Sequence, residues 1–111
     1  MTKEEIFEQA VEAFGEDKLD EAIDLYRKAL EIDPNYQDVL HGLGMALFNR
    51  GRYDEAVAVA KKLIEIDNED VLAHTSLSMF YQGQGLIEAA EKEGNIAKIM
   101  GWKHDLRKDQ K

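Results

Sequence analysis

The chain has 111 residues, which is enough for one compact domain that folds without covalent or metal crosslinks. It contains no cysteine, and this excludes disulfides, thiolate metal sites and cysteine nucleophiles. The formal charge of −9 opposes contact with a phosphate backbone, so we expect no nucleic-acid partner. The acidic N-terminus and the absence of a long apolar run predict no signal peptide, no membrane contact and a cytoplasmic location.

The first two predicted helices form a hairpin. Thr2 and Glu5 have the spacing of a capping box, which predicts a helix that begins near Lys3 and ends at Gly15. Apolar residues from Leu19 to Leu30 recur at spacings of three and four and predict a second helix. The link between them is so short that the two helices must be antiparallel, and the segment 33–35, with its central proline, ends the second one.

The same plan follows twice more. Helices are predicted over 36–49 and 53–66, with Gly51 between them, and the turn at 67–69 ends this second pair. A third pair is predicted over about 70–82 and 87–100, with Gly83 and Gly85 at its internal turn.

A repeat of 34 residues underlies this plan. The segment 51–56 matches 17–22 upstream and 85–90 downstream, so the chain contains three copies. Small residues recur at the same period where helices must approach closely: Ala10, Gly44 and Ser78 form one set, and Ala22, Ala56 and Ala90 form the other. A bulky side chain at these positions would separate the helix axes.

The period, the small residues and the segment 29–35 together resemble the tetratricopeptide repeat family. The resemblance implies an all-α fold, a right-handed α-solenoid of three antiparallel helical hairpins, with repeats at about 3–36, 37–70 and 71–104 in a single domain of residues 1–104. The sequence departs from the family pattern where Asp17 replaces a glycine, where Asn68 replaces the proline, and at Gly94 inside the last helix.

The third repeat has the features of a terminal one. Glu91 and Lys98 stand where Val57 and Ile64 would pack on a following repeat, and a polar outer face suits the end of a solenoid. We expect Gly101 to end the helix. Trp102 and Leu106 then form a short C-terminal capping segment or, alternatively, a surface for a partner. Residues 105–111 are predicted to be a basic polar tail.

The family resemblance also implies that the first helix of each hairpin lines a concave side. We name this side the inner groove and define it by one face of each of these helices: Glu4, Phe7, Val11 and Phe14; Asp38, His41, Met45, Phe48 and Asn49; and Leu72, Thr75, Met79 and Gln82. The predicted affinity residues are Phe7, Val11, Phe14, Met45, Phe48 and Met79, because a solvated wall has no structural need of them. The predicted register residues, which would donate or accept hydrogen bonds, are His41, Asn49, Thr75 and Gln82. The alternative is that the apolar residues pack on each other or lie under the chain's own tail.

The inner groove lacks the residues for one known ligand class. Some members of the family grip the acidic C-termini of heat-shock chaperones with lysines, an arginine and asparagines. The matching positions in this chain are Phe7, Val11, Gly42, Leu72 and Ser76. None of them supplies a cation or a side-chain amide, so we expect an apolar or amphipathic peptide or helix as the ligand.

No catalytic or cofactor motif is present. His41 and His74 stand on neighbouring predicted helices without a clear third ligand, so we expect no metal site. We therefore predict a non-catalytic scaffold or adaptor that binds another protein and needs no cofactor. The alternative is a homo-oligomer assembled through the groove or through the edge of the first hairpin.

Overall fold

The protein is described by a computed structural model that covers residues 1–109, with side chains described as far as residue 106. Residues 110 and 111 of the predicted tail lie outside the described part. The described chain forms six helices: α1 (Lys3–Gly15), α2 (Leu19–Ile32), α3 (Gln37–Asn49), α4 (Tyr53–Ile66), α5 (Val71–Gly83) and α6 (Ile87–Asp109). None of them has the length and apolar character needed to cross a bilayer.

The helices pack as three successive antiparallel pairs, which confirms the all-α hairpin prediction. Each pair contacts the next through α2 against α3 and through α4 against α5. The first helices also pack directly on one another, α1 with α3 and α3 with α5. Over the described residues α2 and α4 meet only through the exposed side chains of Arg27 and Glu55, which form an ion pair at 2.8 Å, and α6 contacts neither of them. The first helices of the pairs therefore lie on the shorter, inner side of the array.

The residues with the smallest side chains occupy the closest helix contacts, as the repeat predicted. Ala10, Ala22 and Ala56 have no exposed surface, and Ala90 has 1 %. Gly44 packs against Phe80, since a Cβ added to Gly44 would lie 3.3 Å from Cε2 of that ring. Larger side chains at these positions would push the helix axes apart and open the core.

The turns inside the three hairpins have the same backbone conformation. Asp17, Gly51 and Gly85, each 34 residues apart, have φ angles of 62°, 82° and 81°. In each turn, the residue directly after the left-handed one donates its backbone N–H to the carbonyl oxygen five residues before it. Arg52 N–H, for example, donates to Leu47 O at 2.8 Å. This is the Schellman arrangement, which satisfies carbonyl groups at a helix end. The prediction that α1 ends at Gly15 is therefore confirmed, but the residue that takes the left-handed conformation in this turn is Asp17.

The turns between the hairpins are closed by aspartates. Asp33 Oδ1 accepts a hydrogen bond from Asn35 N–H at 3.2 Å, and Asp67 Oδ1 accepts one from Glu69 N–H at 3.0 Å. These are side-chain turns of the kind that aspartate favours. Because the aspartate forms the turn in both places, the second turn forms without the proline that the family pattern expects.

The predicted end of the last helix at Gly101 is wrong. α6 runs without a break from Ile87 to Asp109, and over the described residues it contacts α5 alone. Trp102 is 66 % exposed and Leu106 is 44 % exposed, so they do not form a capping segment on the last repeat. A glycine in a helix costs about 1 kcal/mol relative to alanine, which is too little by itself to stop a helix that good helix formers such as Met100 and Lys103 flank.

Candidate functional site

The inner groove is formed by the exposed sides of α1, α3 and α5, and its residues differ in how deeply they lie. Phe7, Phe14, Met45, Phe48 and Met79 are half-buried and pack against the main hydrophobic core. Val11 is 47 % exposed and Leu72 is 58 % exposed. The groove therefore has a firmly held apolar floor and two prominent apolar side chains, one at each side.

Two aromatic residues of the floor have structural partners from other helices. The Phe7 ring centroid lies 5.5 Å from that of Tyr36, and the Phe48 centroid lies 5.3 Å from that of Phe80 in a stacked pair. Phe48 also contacts Tyr53, with centroids 5.4 Å apart. The premise that the wall has no structural need of Phe7 and Phe48 is thus wrong: Phe7 packs on Tyr36, which leads into α3, and Phe48 packs on Phe80 of the next repeat. Only the smaller, exposed part of each ring is free for a ligand.

The four predicted register residues are not equivalent. Asn49, Thr75 and Gln82 are exposed, but Thr75 and Gln82 line shallow pockets between α5 and α6, beside Gly94. The Thr75 hydroxyl donates to Val71 O at 3.0 Å within its own helix, which leaves its lone pairs for a ligand donor. His41 is half-buried, and its Nε2 lies 2.8 Å from Asp70 Oδ2. The Asp70 carboxylate also caps α5 through Ala73 N–H at 3.0 Å, so this histidine joins two repeats.

His74 is a buried counterpart in the next repeat. It is 7 % exposed, with Nδ1 at 2.7 Å from Glu93 Oε2 and Nε2 at 3.1 Å from the backbone oxygen of Asn68. The two rings thus meet different carboxylates rather than a common ligand. Among the described residues no group of three His, Asp or Glu side chains is arranged to hold a metal ion.

A tyrosine lies directly behind the groove. Tyr26 of α2 is 3 % exposed, and burial raises the pKa of its phenol. Its ring fills the space beside Gly42 of α3, where an added Cβ would lie 2.5 Å from Cζ of the ring. Gly42 is one of the five positions at which a chaperone-tail clamp would need a polar side chain, and a clash with Tyr26 stands in the way of any side chain there.

Sequence reasoning missed several residues that shape this surface. Asp70 and Glu93 were not recognised as histidine partners, and Tyr26 was not recognised as the reason for Gly42. Helical spacing predicts which face a residue occupies but not which side chain from another helix meets it. The two carboxylates stand 29 and 19 residues after their histidines, so no common spacing in the sequence predicts the two pairs.

Known proteins share this architecture. A tetratricopeptide repeat family model matches residues 13–79. Small glutamine-rich tetratricopeptide repeat-containing protein 2 from Mycosarcoma maydis is 46 % identical over 48 residues, which are 43 % of this chain and 14 % of that protein. The chain therefore spans about a seventh of this fungal relative.

Solved structures extend the similarity to nearly the whole chain. MamA superposes with a TM-score of 0.88 at 26 % identity, over 94 % of this chain and 61 % of that one. The first TPR domain of Spaghetti (RPAP3), bound to the HSP90 peptide SRMEEVD, gives 0.86 at 20 % identity over 96 % and 89 %. The translocator chaperone SycD of Yersinia enterocolitica, in an alternative dimer, gives 0.84 at 17 % identity over 88 % and 74 %. At 20 % and 17 % identity, the Spaghetti domain and SycD show a shared fold and nothing more.

Tetratricopeptide repeat domains are protein–protein interaction modules and are typically non-catalytic. The family model covers more than half of this chain, and the six paired helices with their 34-residue period reproduce the family architecture. The chain belongs to the tetratricopeptide repeat family.

Proposed function

We propose that this protein is a non-catalytic adaptor whose inner groove binds an apolar or amphipathic helix from another protein. The observation that carries the proposal is the exposure of Val11 and Leu72 beside the half-buried floor of Phe and Met side chains. Exposed apolar surface of this extent, set in a concave face, typically marks a binding site for a partner.

The floor favours binding because it is already ordered. Phe48 is stacked on Phe80 and held by Tyr53, so its free edge loses little side-chain freedom when a ligand covers it. Met45 of α3 and Met79 of α5 pack against the same core and have flexible thioether side chains that adapt to different ligand shapes. Fixed aromatic anchors beside adaptable methionines suit the ridged apolar face of a helix.

The charges and shape of the groove argue against an acidic chaperone tail. Its residues include Glu4 and Asp38 and no lysine or arginine. A carboxylate-rich peptide such as SRMEEVD would be repelled there and would find no bidentate cation. Tyr26 further occupies the space that an amide side chain at position 42 would need. The bound peptide of the Spaghetti domain is therefore not the ligand class that we propose here.

The test compares two double variants of the whole chain. Val11→Glu with Leu72→Glu places charges in the inner groove, whereas Ile32→Glu with Ala58→Glu places them at exposed positions of α2 and α4. All four positions are exposed, so both variants should melt close to the wild type. Partners captured by the wild type and identified by mass spectrometry should be lost by the groove variant and retained by the outer variant.

Two results would contradict the proposal. One is a partner set that survives the groove variant unchanged. The other is calorimetric binding of the peptide SRMEEVD to the wild type with a Kd near 1 µM, about −8 kcal/mol, because the proposed groove offers that peptide no cation.

A further inference from the structure

The part of α6 beyond its partner helix carries an unpaired apolar stripe. Ile99, Trp102 and Leu106 are spaced by three and four residues, so they share one face of the helix. They are 52 %, 66 % and 44 % exposed. Met100 and Lys103 lie on another face, which borders a pocket of about 150 Å³ at the start of α5. The stripe therefore faces away from the rest of its own chain.

The charge of this segment is opposite to that of the remainder. Residues 98–111 contain five Lys/Arg against Asp105 and Asp109, a formal charge of +3, while residues 1–97 carry −12. The first repeat, residues 1–36, has eleven Asp/Glu and four Lys/Arg. A basic amphipathic helix thus projects from a protein whose opposite end is strongly acidic, which favours association between copies.

The inner groove has the matching surface at its α1 and α3 end. Apolar side chains of the floor lie there beside exposed Val11, and the carboxylates of Glu4, Glu8 and Asp38 are exposed on the same helices. Glu8 stands one repeat before Gly42 and so occupies the equivalent helix position. The α5 end contributes no carboxylate to the groove, so the charge complementarity selects α1 and α3.

The dimensions of the stripe and the groove also agree. The helix from Ile99 to Leu106 has seven steps between its first and last residues and spans about 10 Å at 1.5 Å per residue. Neighbouring helices pack with axes about 8–10 Å apart, so the stripe is long enough to contact both α1 and α3. It does not do so in its own chain, because α6 continues as one helix and over the described residues contacts α5 alone. If the stripe fills such a groove, that groove therefore belongs to a second copy.

We infer that the α1 and α3 end of the inner groove binds the C-terminal stripe of α6 from a second copy of this chain. The inference rests on the proposed function, since it names one amphipathic helix that the groove takes. A foreign helix would then compete with the tail for the same surface. End-to-end stacking of repeats is a different contact, and it is disfavoured by Glu91 and Lys98 on the outer face of α6, both of which are exposed.

The primary test is sedimentation of the full chain from about 1 µM to about 1 mM, the range of Kd expected for a small interface. The wild type should self-associate, and added salt should weaken the association. Ile99→Glu with Trp102→Glu removes the stripe, and Val11→Lys places a cation in the groove. Each should raise the dissociation constant at least about tenfold, because apolar anchors dominate small contacts.

Matched controls place the same charges elsewhere. Ile87→Glu changes an isoleucine of α6 that is 55 % exposed at the far end of the helix, and Ile32→Lys changes one of α2 that is 54 % exposed. Both controls should associate like the wild type. Trp102 is the only tryptophan, so its fluorescence should shift to shorter wavelength with rising concentration in the wild type and in both controls.

Mixing the two defective variants gives the decisive result. The stripe variant keeps an intact groove and the Val11→Lys variant keeps an intact stripe, so the mixture should form a complex that neither forms alone. A mixture that stays monomeric although each variant is defective would show that the two changes do not lie on opposite sides of one contact, and it would overturn the inference. A Val11→Lys variant that associates normally while the stripe variant is defective would indicate a contact between two tails and would overturn it as well. A wild type that is monomeric throughout, or variants that associate normally, would also overturn it.

These failures are distinguishable from failure of the proposed function. If the groove variant of the previous section loses its foreign partners while the wild type is monomeric, the adaptor function stands and the self-contact does not exist. Co-sedimentation of the monomeric wild type with anionic vesicles, lost in the stripe variant, would assign the tail to a membrane surface and overturn the inference as well.

Discussion

The ring of Tyr26 occupies the space that a side chain at position 42 would fill: a Cβ on Gly42 would lie 2.5 Å from Cζ, 2.6 Å from the phenol oxygen and 2.7 Å from Cε1. Tyr26 belongs to the first repeat and Gly42 to the second, so their contact joins two repeats directly behind the groove. Tyr26, a buried core residue, therefore also prevents position 42 from contributing a side chain to the groove.

Gly42→Ala should lower the free energy of unfolding by about 1–3 kcal/mol, since the added methyl overpacks a fully enclosed ring. Thermal melting followed by circular dichroism measures this as a loss of several degrees for a domain of this size. Gly101→Ala is the matched control, because an added Cβ there has no neighbour within 4 Å and removes a helical glycine. It should be neutral or stabilising by up to about 1 kcal/mol. Equal melting of Gly42→Ala and wild type would disprove the contact.

Asp17→Gly should stabilise the protein by about 0.5–1 kcal/mol. Asp17 has a φ of 62°, in the left-handed region where an L-residue is strained and glycine is not. The equivalent positions of the other two repeats are Gly51 and Gly85, which adopt the same conformation. Asp24→Gly, an exposed position inside α2, should instead cost about 0.3 kcal/mol, because aspartate is itself only slightly better than glycine in a helix. Chemical denaturation measures both, and a destabilised Asp17→Gly variant would contradict the backbone argument.

The ion pair between Lys3 and Asp33 should make stability depend on pH at both ends of the range. Lys3 Nζ lies 2.9 Å from Asp33 Oδ2, and this hydrogen bond lowers the pKa of Asp33 and raises the pKa of Lys3. The Asp33 contribution is present above its unfolded pKa of about 3.9 and is lost as pH falls through the lower folded value. The Lys3 contribution is present below about pH 10.4 and is lost as pH rises through the higher folded value.

Melting of Asp33→Asn and of the wild type across pH measures this window. The difference in melting temperature should be largest between these two limits and should shrink in acid, where the wild-type carboxylate is protonated. Asparagine retains an oxygen for Asn35 N–H, so the turn itself is preserved. Glu31→Gln removes a nearby exposed carboxylate and should give a much smaller difference. A difference that stays constant into strong acid would show that the ion pair contributes nothing.

The repeat period by itself determined most of the fold. Helix α4 was predicted and observed over Tyr53–Ile66, and the other helices, with the exception of α6, match to within about two residues at each end, the usual uncertainty of such boundaries. The reason is that caps, glycines and apolar spacing are local signals, and three copies of each signal support one another. The same register carried the resemblance to the tetratricopeptide repeat family, and that resemblance implied which helices lie on the inner side.

The tertiary structure alone decided how deep each groove residue lies and where the last helix ends. Phe7 and Phe48 are half-buried because Tyr36 and Phe80, about one repeat away in the chain, pack against them. Gly101 predicts the end of the last helix, yet α6 continues past it and leaves Trp102 exposed. Helical periodicity assigns a residue to a face, whereas its exposure depends on side chains that other helices bring to that face, and these contacts are set only when the repeats pack.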